Sequence, residues 1–478
     1  VLFRSVRMVG LLMGSAWAGV TAGGNFVPYE TSIMDRAMSV MGLALFCGLA
    51  WVMSERRAQV DWRPVRWALG MQMLFGLIVL SPWLQGVFLA VNDAVGTLLS
   101  FSNAGATFAF RSIEPHYIEV PTGDGGSTRM FAAGVVSPPV KTFAFWILPT
   151  IIFFSTLMSI LYHLGVMQVI VTAMARLMVR TLGTSGAETL SMAGNIFLGQ
   201  TEAPLLVRPF LPQMTRSELM AVMTGGFATV AGGVMGAYVG FLQGAIPDIA
   251  GHLVVASILS APAAFAMAKI IVPETEEPVT RGEVRVEFPR TASNVVEAGA
   301  NGASDGMKLA INVAAMLIAA VALMAMLDWM VGWLPLTRCA EGWSLGYACE
   351  AGGRPLSMTD LLGWAFAPFA LAMGVPWADS GVIGSLLGEK LILTEFTAYQ
   401  HLGELVGGDT PAMTRRSAVI ASYGLCGFAN FASIGIQIGG IGSMAPERTA
   451  DLAALGIKSM LAGALACCMT GCIVGILL

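Results

Sequence analysis

The chain has 478 residues and a mass of 50.2 kDa, which is long enough for two or three soluble domains. However, 56% of the residues are hydrophobic and only 12% are charged, whereas a soluble domain carries roughly 25% charged residues. The net charge is −4, so the chain has no general basic character. This composition excludes a cytosolic enzyme, a nucleic-acid-binding protein and a disordered scaffold, and it indicates a polytopic membrane protein.

The first 36 residues form an N-terminal extension whose nature the sequence leaves open. Arg4 and Arg7 precede a short apolar run from Met8 to Ala18. That pattern is typical of a signal peptide, and it is equally compatible with an additional helix.

Eight later segments are apolar and long enough to cross about 30 Å of hydrocarbon. Two further apolar stretches are interrupted by glycine, proline and carboxylates, which indicates re-entrant hairpins buried in protein. The predicted fold is therefore all-α, with eight transmembrane helices and two hairpins. The spans are 37–54, 67–91, 143–166, 217–243, 252–272, 308–334, 417–443 and 453–478, and the hairpins are 183–208 and 361–400.

The distribution of lysine and arginine predicts the orientation in the membrane. If the 37–54 span runs from outside to inside, the inside loops hold twelve of these residues and the outside loops hold seven. The pair Arg415–Arg416 on the outside is the main exception. This orientation places the C-terminus outside, together with a loop in which Cys339 and Cys349 could form a disulfide.

The second half of the chain repeats a short pattern of the first half. Each unit contains a Thr-Glu pair in the hairpin, a Met-Thr-Arg triplet before the next span, and a GFA motif within that span. An odd number of crossings between the units gives them opposite orientations, as in the inverted repeats of transporters. The matching segments are Thr201-Glu202 with Thr394-Glu395, 214–216 with 413–415, and GFATVA (226–231) with GFANFA (427–432).

The hairpin tips and the broken helices bring polar residues to the middle of the membrane. Carboxylates at this depth are costly and mark functional sites by default, and neither tip has an arginine or lysine beside it. Such a set suits a neutral solute rich in hydroxyl and amide groups, and carbonyl oxygens freed by broken helices suit a coupling cation, either Na⁺ or H⁺. The candidate polar residues are Asn195, Gln200, Thr201, Glu202, Thr229, Glu395, Asn430 and Ser433.

The chain lacks the GxSxG, HExxH and Walker A motifs, so a membrane-embedded hydrolase or transferase is a weak alternative. An ion channel is a second weak alternative, because two polar hairpins suit an occluded site better than a pore.

Several blocks of the sequence resemble the concentrative nucleoside transporters, over about residues 40–478. The most specific blocks are GQTEAPLL (199–206) and GFANFASIGIQIGG (427–440), supported by MTGGFATVAGGVMGAYV (223–239) and EFTAY (395–399). The resemblance implies a homotrimer in which each protomer carries its own site. It also implies that the two repeats form a transport domain that moves as an elevator against scaffold helices.

The resemblance also implies a role for each candidate residue. Gln200, Thr201 and Glu202 would read the nucleobase. Glu395, Asn430 and Ser433 would hold the ribose, while Val234 and Phe428 would line the pocket. Na⁺ would be bound by the side chains of Asn195 and Thr229 and by the carbonyls of Leu198 and Val230. One departure from the family pattern is Thr394, where the family commonly has asparagine.

These inferences divide the chain into five segments. They are the N-terminal extension (1–36), scaffold helices (37–182), the first transport repeat (183–272), a cytoplasmic loop with a scaffold helix and an outer loop (273–360), and the second transport repeat (361–478).

The predicted function is Na⁺-coupled import of nucleosides such as uridine across a bacterial inner membrane, with no enzymatic activity. The predicted partners are the nucleoside, the lipid bilayer and two further copies of the chain, without nucleic acid. The alternatives are an H⁺-coupled nucleoside symporter and a nucleoside-binding membrane receptor without transport.

Overall fold

A computed structural model shows a mostly helical protein. It describes residues 26–79, 85–110, 116–121, 127–132, 143–281, 292–334, 336–339, 342–345, 354–408 and 412–478. Most of the N-terminal extension and the possible disulfide partner Cys349 lie outside the described residues.

Helices make up most of the described residues. In chain order they are α1 (Ile33–Val52), α2 (Trp62–Val79), α3 (Gln85–Phe110), α4 (Leu148–His163), α5 (Val166–Leu182), α6 (Gly186–Asn195), α7 (Arg216–Ala228), α8 (Gly232–Leu242), α9 (Ile249–Ile271), α10 (Val295–Val331), α11 (Met358–Ala372), α12 (Trp377–Ile392), α13 (Glu395–Gly407), α14 (Arg415–Leu425), α15 (Phe431–Met444) and α16 (Thr449–Leu477).

Small strand pairs in the connecting loops are the main addition to the predicted all-α fold. Strands β1 (His116–Pro121) and β2 (Ser127–Ala132) pair antiparallel. Strand β3 (Leu336–Cys339) pairs antiparallel with β4 (Gly342–Leu345) and β5 (Arg354–Pro355). The sequence analysis treated both regions as plain loops.

The membrane-spanning character of the chain is confirmed. Five helical segments of the described residues are long and apolar enough to cross a bilayer, or up to seven if each of two bent pairs counts as one span. The bent pairs are α4 with α5, at 78°, and α11 with α12, at 116°. The predicted eight spans therefore capture the apolar segments, but their bounds differ in several places.

The predicted 67–91 span coincides with parts of two described helices, α2 and α3, and residues 80–84 between them lie outside the described residues. Helix α3 continues to Phe110 through a region predicted as an outer loop. Its polar residues lower its hydropathy but make specific contacts: the Asn92 amide donates to the Pro247 carbonyl (3.1 Å), and Ser102 donates to Thr150 (3.2 Å).

Helix α10 begins thirteen residues before the predicted 308–334 span, within the predicted cytoplasmic loop. The early turns are rich in small residues, which hid them from a hydropathy search. A Cβ added at Gly302 would lie 2.7 Å from Ser159 Cβ, and one added at Gly306 would lie 2.8 Å from Ile152 Cα. Helix α10 therefore packs against α4 along a glycine face, a contact typical of membrane helices.

Both repeats start their broken helix in the same way, which explains the repeated Met-Thr-Arg triplet. Thr215 is the N-cap of α7 and Thr414 is the N-cap of α14. A carboxylate binds each cap: Glu218 accepts from the Thr215 amide (2.8 Å), and Asp379 accepts from the Thr414 amide (3.0 Å). The threonine supplies the side-chain oxygen that a helix N-terminus needs.

The helices break where the GFA motifs predict. Helix α7 ends at Ala228 and α8 begins at Gly232, while α14 ends at Leu425 and α15 begins at Phe431. Gly427 in the second break has a φ of 147°, and a Cβ there would lie 2.7 Å from the Phe227 carbonyl oxygen. The two breaks are therefore in direct contact.

The arms of the second hairpin differ from the predicted 361–400. They are α12 and α13, with the tip at Leu393 and Thr394, while α11 is a separate helix that precedes them. In the first repeat, α5 occupies the corresponding place before a hairpin made of α6 and a short 3₁₀ helix, Ala203–Val207. The sequence analysis missed both preceding helices as separate elements.

Arg415 and Arg416, the exception to the predicted orientation, both bind to other groups of the protein. Arg415 forms two bonds to the Asp248 carboxylate, at 2.8 and 2.9 Å. Arg416 donates to the carbonyls of Gly374 and Gly475. Both side chains are therefore bound within the fold.

Candidate functional site

A cavity of about 140 Å³ lies where the two hairpin tips, the two helix breaks and helix α10 meet. Its wall contains no arginine or lysine among the described residues. All eight residues predicted to bind substrate line this one cavity: Gln200, Thr201, Glu202, Val234, Glu395, Phe428, Asn430 and Ser433. Residues as far as 233 positions apart in the chain, Gln200 and Ser433, are thus brought together as the repeat pattern predicts.

Glu395 is the best-held carboxylate of the cavity. It is the first residue of α13, directly after the N-cap Thr394, and its side chain is buried. Tyr238 donates to Oε1 (3.0 Å) and the Asn430 amide donates to Oε2 (2.9 Å). Both partners are neutral donors, and each occupies one oxygen, so the remaining lone pairs of the side chain can accept from hydroxyl donors.

Asn430 has a fixed orientation because it is the N-cap of α15. Its Oδ1 accepts from the Ser433 amide (2.9 Å), which leaves its nitrogen to face Glu395. Ser433 Oγ in turn accepts from Gln200 Nε2 (3.2 Å). One chain of hydrogen bonds therefore joins the second hairpin, the second helix break and the first hairpin tip.

Glu202 differs from Glu395 in that it is exposed to open space. Its Oε2 accepts from the Gly199 amide (3.1 Å), a bond within the hairpin tip. It lines both the small cavity and a neighbouring one of about 480 Å³ that lies between α4, α5 and the tip. Glu202 therefore lies on the boundary between the enclosed site and a wider vestibule.

The four predicted cation ligands lie in the first hairpin and the first helix break. Both side-chain polar atoms of Asn195 are buried without a hydrogen-bond partner in the described structure. Thr229 Oγ1 donates to the Gly225 carbonyl (2.8 Å) and keeps its lone pairs. Within the described residues, no backbone hydrogen bond ends on the carbonyl oxygens of Leu198 or Val230.

This set of free oxygens fits a hard monovalent cation. A buried amide without a partner costs free energy unless something satisfies it, and Asn195 is closely surrounded: a Cβ at Gly225 would lie 3.1 Å from its Nδ2. Among the described residues, no group of three or more His, Cys, Asp or Glu side chains could hold a metal ion. The arrangement suits Na⁺ better than a transition metal.

The sequence analysis missed several residues of the site. Tyr238 and Gln437 make hydrogen bonds to predicted residues, and Leu309, Val313 and Leu317 of α10 form the opposite wall. The Tyr238 ring also stacks on Tyr399, with centroids 4.3 Å apart. No signal in a single sequence reveals these contacts, although Tyr238 and Gln437 lie inside two of the four blocks that carry the family resemblance.

Comparison with known proteins gives three matching family profiles. The profile described as "Na+ dependent nucleoside transporter C-terminus" matches residues 252–475, and its N-terminal counterpart matches 41–113. A profile described as "Nucleoside recognition" matches residues 144–245 and therefore includes the first hairpin.

The solved structures decide the family. CNTnw in an inward-facing substrate-bound state is 35% identical with a TM-score of 0.79, covering 93% of this chain and 99% of that one. This chain belongs to the Na⁺-dependent nucleoside transporter family. A CNTnw variant in an outward-facing state gives a TM-score of 0.80 at 34% identity, covering 93% of this chain and 98% of that one, and other CNTnw variants are in intermediate states.

Curated animal proteins are also similar. Mouse solute carrier family 28 member 3 is 40% identical over 456 residues, which cover 92% of this chain and 58% of the relative. Human sodium/nucleoside cotransporter 1 is 36% identical over 458 residues, which cover 93% and 64%. The chain thus spans about three fifths of the length of these relatives. Members of this family are transporters rather than enzymes.

Proposed function

We propose that this chain is a Na⁺-coupled symporter that carries nucleosides such as uridine across a membrane. The observation that carries the proposal is the single cavity lined by all eight predicted substrate residues. Its neutral and acidic hydrogen-bonding groups match the hydroxyls of a ribose and the polar edge of a base. Sodium/nucleoside cotransporters among the relatives support the same substrate class.

The ribose end of the site is proposed at Glu395, Asn430 and Ser433. A carboxylate fixed by two neutral donors accepts strongly from vicinal hydroxyls, because charge-assisted hydrogen bonds are the strong ones. The base end is proposed at Gln200, Thr201 and Glu202 on the first hairpin tip. The half-buried Phe428 ring and the buried Val234 side chain supply apolar contact.

Coupling to Na⁺ is expected because the proposed cation ligands lie close in the chain to the proposed base-binding residues. Asn195 and Leu198 precede Gln200 on the same hairpin tip, and the Phe197 carbonyl accepts from the Gly232 amide (3.0 Å) across the first helix break. A cation held by Asn195, Thr229 and the carbonyls of Leu198 and Val230 would order this tip. Nucleoside then binds to an organised site, which is positive coupling between the two ligands.

Movement is proposed as an elevator in which the repeats at 183–272 and 361–478 travel against the scaffold helices. Helix α10 supplies one wall of the cavity through Leu309, Val313 and Leu317, so the site lies at a boundary between the two parts. CNTnw structures in inward-facing, intermediate and outward-facing states support this mechanism.

The assembly is proposed as a homotrimer in a bacterial inner membrane. The support for a trimer is the family resemblance, together with the exposed apolar side chains of α10, such as Ile318 and Val321. Native mass spectrometry should find a complex of three times the 50.2-kDa chain. A complex of one or two chains would contradict this part of the proposal.

Uptake of radiolabelled uridine into proteoliposomes tests the proposed function. With an inward Na⁺ gradient we expect saturable uptake that unlabelled uridine blocks and that a Na⁺ ionophore abolishes. Binding of uridine without any flux would instead favour a membrane receptor.

A further inference from the structure

Gln437 of α15 is a fully buried glutamine directly behind the candidate base-binding residue Gln200. Its Nε2 donates to Gln200 Oε1 (3.1 Å) and to the backbone carbonyl of Met223 in α7 (3.1 Å). Gln437 is not part of the cavity wall, whereas Gln200 is. Gln437 therefore bonds to Gln200 from outside the cavity.

These bonds fix which way both amides point. The oxygen and nitrogen of a glutamine amide are interchangeable in shape, so their placement must follow from the partners. The Met223 carbonyl can only accept, so the Gln437 atom beside it must be the nitrogen. That nitrogen also faces Gln200, so the Gln200 atom that meets it must be the oxygen.

The consequence is a defined polarity at the cavity surface. The Gln200 oxygen faces the buried Gln437, and its nitrogen faces Ser433, which lines the cavity. One N–H of that nitrogen bonds to Ser433 Oγ, and the second remains for a solute. At Gln200 the cavity wall therefore presents an N–H donor to a solute, while the amide oxygen of Gln200 is already bonded to Gln437.

Gly226 makes room for this arrangement. A Cβ at Gly226 would lie 2.7 Å from Gln437 Nε2 and 2.8 Å from Gln200 Cβ. The glycine of the first GFA motif is therefore required by the close approach of both amides.

We propose that Gln437 is a positioning residue that makes the site select nucleosides whose base offers a carbonyl oxygen at C4 to Gln200. This inference rests on the proposed function. Uracil carries a carbonyl at C4, which can accept a hydrogen bond from the Gln200 N–H. Cytosine carries an amino group at C4, and this donor would face the Gln200 N–H, which is also a donor. Uridine should therefore bind more tightly than cytidine, and Gln437 should be the cause.

Equilibrium binding to the purified full chain in Na⁺ tests the inference through the ratio of the Kd values for cytidine and uridine. For the unmodified protein we expect a ratio of at least about ten, the effect of one hydrogen bond. Gln437→Met keeps the length of the side chain but removes its donors and frees the Gln200 amide to turn, so the ratio should fall to within about threefold of unity.

Two further variants keep the result interpretable. Gln72→Met removes another fully buried glutamine that donates to a backbone carbonyl, Leu259 (2.9 Å), away from the cavity. It should leave the ratio unchanged. Gly226→Ala displaces both amides from the other side and should lower the ratio as Gln437→Met does.

An equal affinity for the two nucleosides in the unmodified protein would overturn the inference, as would an unchanged ratio in both Gln437→Met and Gly226→Ala. Either result leaves nucleoside transport itself intact. Absence of uridine binding and uptake in the unmodified protein would instead refute the proposed function.

Discussion

Glu395 is a carboxylate held in one orientation at the wall of the cavity. Its two oxygens accept from Tyr238 and Asn430, and Asn430 is itself held as a helix N-cap. The side chain cannot rotate without breaking both bonds. A fixed acceptor of this kind loses little conformational entropy when a solute binds.

Replacement of Glu395 should remove nucleoside uptake while leaving the fold intact. In Glu395→Gln the amide keeps the size of the side chain but loses the charge, and one of its two acceptor atoms becomes a donor that faces another donor. Uridine affinity should fall by at least about tenfold to a hundredfold, the strength of a charge-assisted hydrogen bond. Asn430→Ala should have a similar effect.

The matched control is Glu404→Gln, an exposed glutamate on the same helix that accepts from Gln400. It should take up uridine normally. The size-exclusion profile verifies that each variant is folded. Normal uptake in Glu395→Gln or in Asn430→Ala would refute the site.

Thr229 carries the prediction for the cation. Thr229→Ala removes one proposed ligand oxygen, so the Na⁺ concentration for half-maximal uridine uptake should rise severalfold. Thr470→Ala is the control, since Thr470 makes the same bond to the carbonyl four residues earlier but lies in α16. A Na⁺ dependence that is identical in Thr229→Ala and the unmodified protein would count against this ligand.

The residues of the site were predictable to different degrees. Glu202 and Glu395 follow from the cost of a membrane carboxylate, and the repeat places them at equivalent tips. Tyr238 and Gln437 were not predictable, since their partners lie 157 and 237 positions away and both contacts depend on the three-dimensional packing.

At the scale of elements, the two helix breaks are held against each other by small residues. Gly427 combines a positive φ of 147° with contacts under 3 Å from an added Cβ to Cys467 Sγ and to the Phe227 carbonyl. Cys467 Sγ in turn donates to the Cys426 carbonyl (2.9 Å). No side chain larger than hydrogen fits at Gly427 without moving one break away from the other.

Gly427→Ala should therefore destabilise the protein by about 1–3 kcal/mol, the combined effect of backbone strain and overpacking. The expected measurement is a lower midpoint of thermal unfolding in detergent and reduced uridine uptake. Gly435→Ala in α15 has open space around its Cβ and should be neutral or slightly stabilising. An unaltered midpoint for Gly427→Ala would contradict the packing of the two breaks.

A salt-bridge cluster joins three elements at the predicted cytoplasmic side. Glu55, after α1, accepts from Arg216 of α7 (2.9 Å) and Lys458 of α16 (2.7 Å). The hydrogen bond from Arg216, aided by Lys458, lowers the pKa of Glu55 from 4.5 to about 2. The folded state thus binds the Glu55 proton more weakly than the unfolded chain does.

The sign of the pH dependence follows from that lowered pKa. The stabilisation by Glu55 is complete above its unfolded pKa of 4.5 and is lost as the pH falls toward about 2. Glu55→Gln should therefore lower the unfolding midpoint most near pH 7, by a few degrees, with a clearly smaller difference at about pH 3. The same difference at both pH values would show that the charge is not responsible.

The elements that the sequence concealed share a physical cause. Helix α3 and the early turns of α10 contain polar or small residues that bond or pack inside the protein, so mean hydropathy underrates these stretches. The bend of 78° between α4 and α5 occurs at Gly165, whose φ is 83°, and a search for apolar length does not reveal it. The caps and breaks of the repeats were visible because they depend on local sequence.

At the scale of the whole molecule, the inverted repeat explains why the site is central. Each repeat contributes one hairpin tip and one helix break, and the breaks touch through Gly427 and Phe227. Helix α10 forms another wall of the cavity through Leu309, Val313 and Leu317. The fold therefore places between the two repeats and α10 a cavity whose described wall has no arginine or lysine.

The most direct test of the account is the identity of the coupling ion. Uridine uptake into proteoliposomes should be measured with an inward Na⁺ gradient at equal pH, and separately with an inward H⁺ gradient without Na⁺. The proposed ligands Asn195 and Thr229 predict concentrative uptake with Na⁺ alone. Uptake that requires the H⁺ gradient and ignores Na⁺ would contradict the proposed cation site and the coupling built on it.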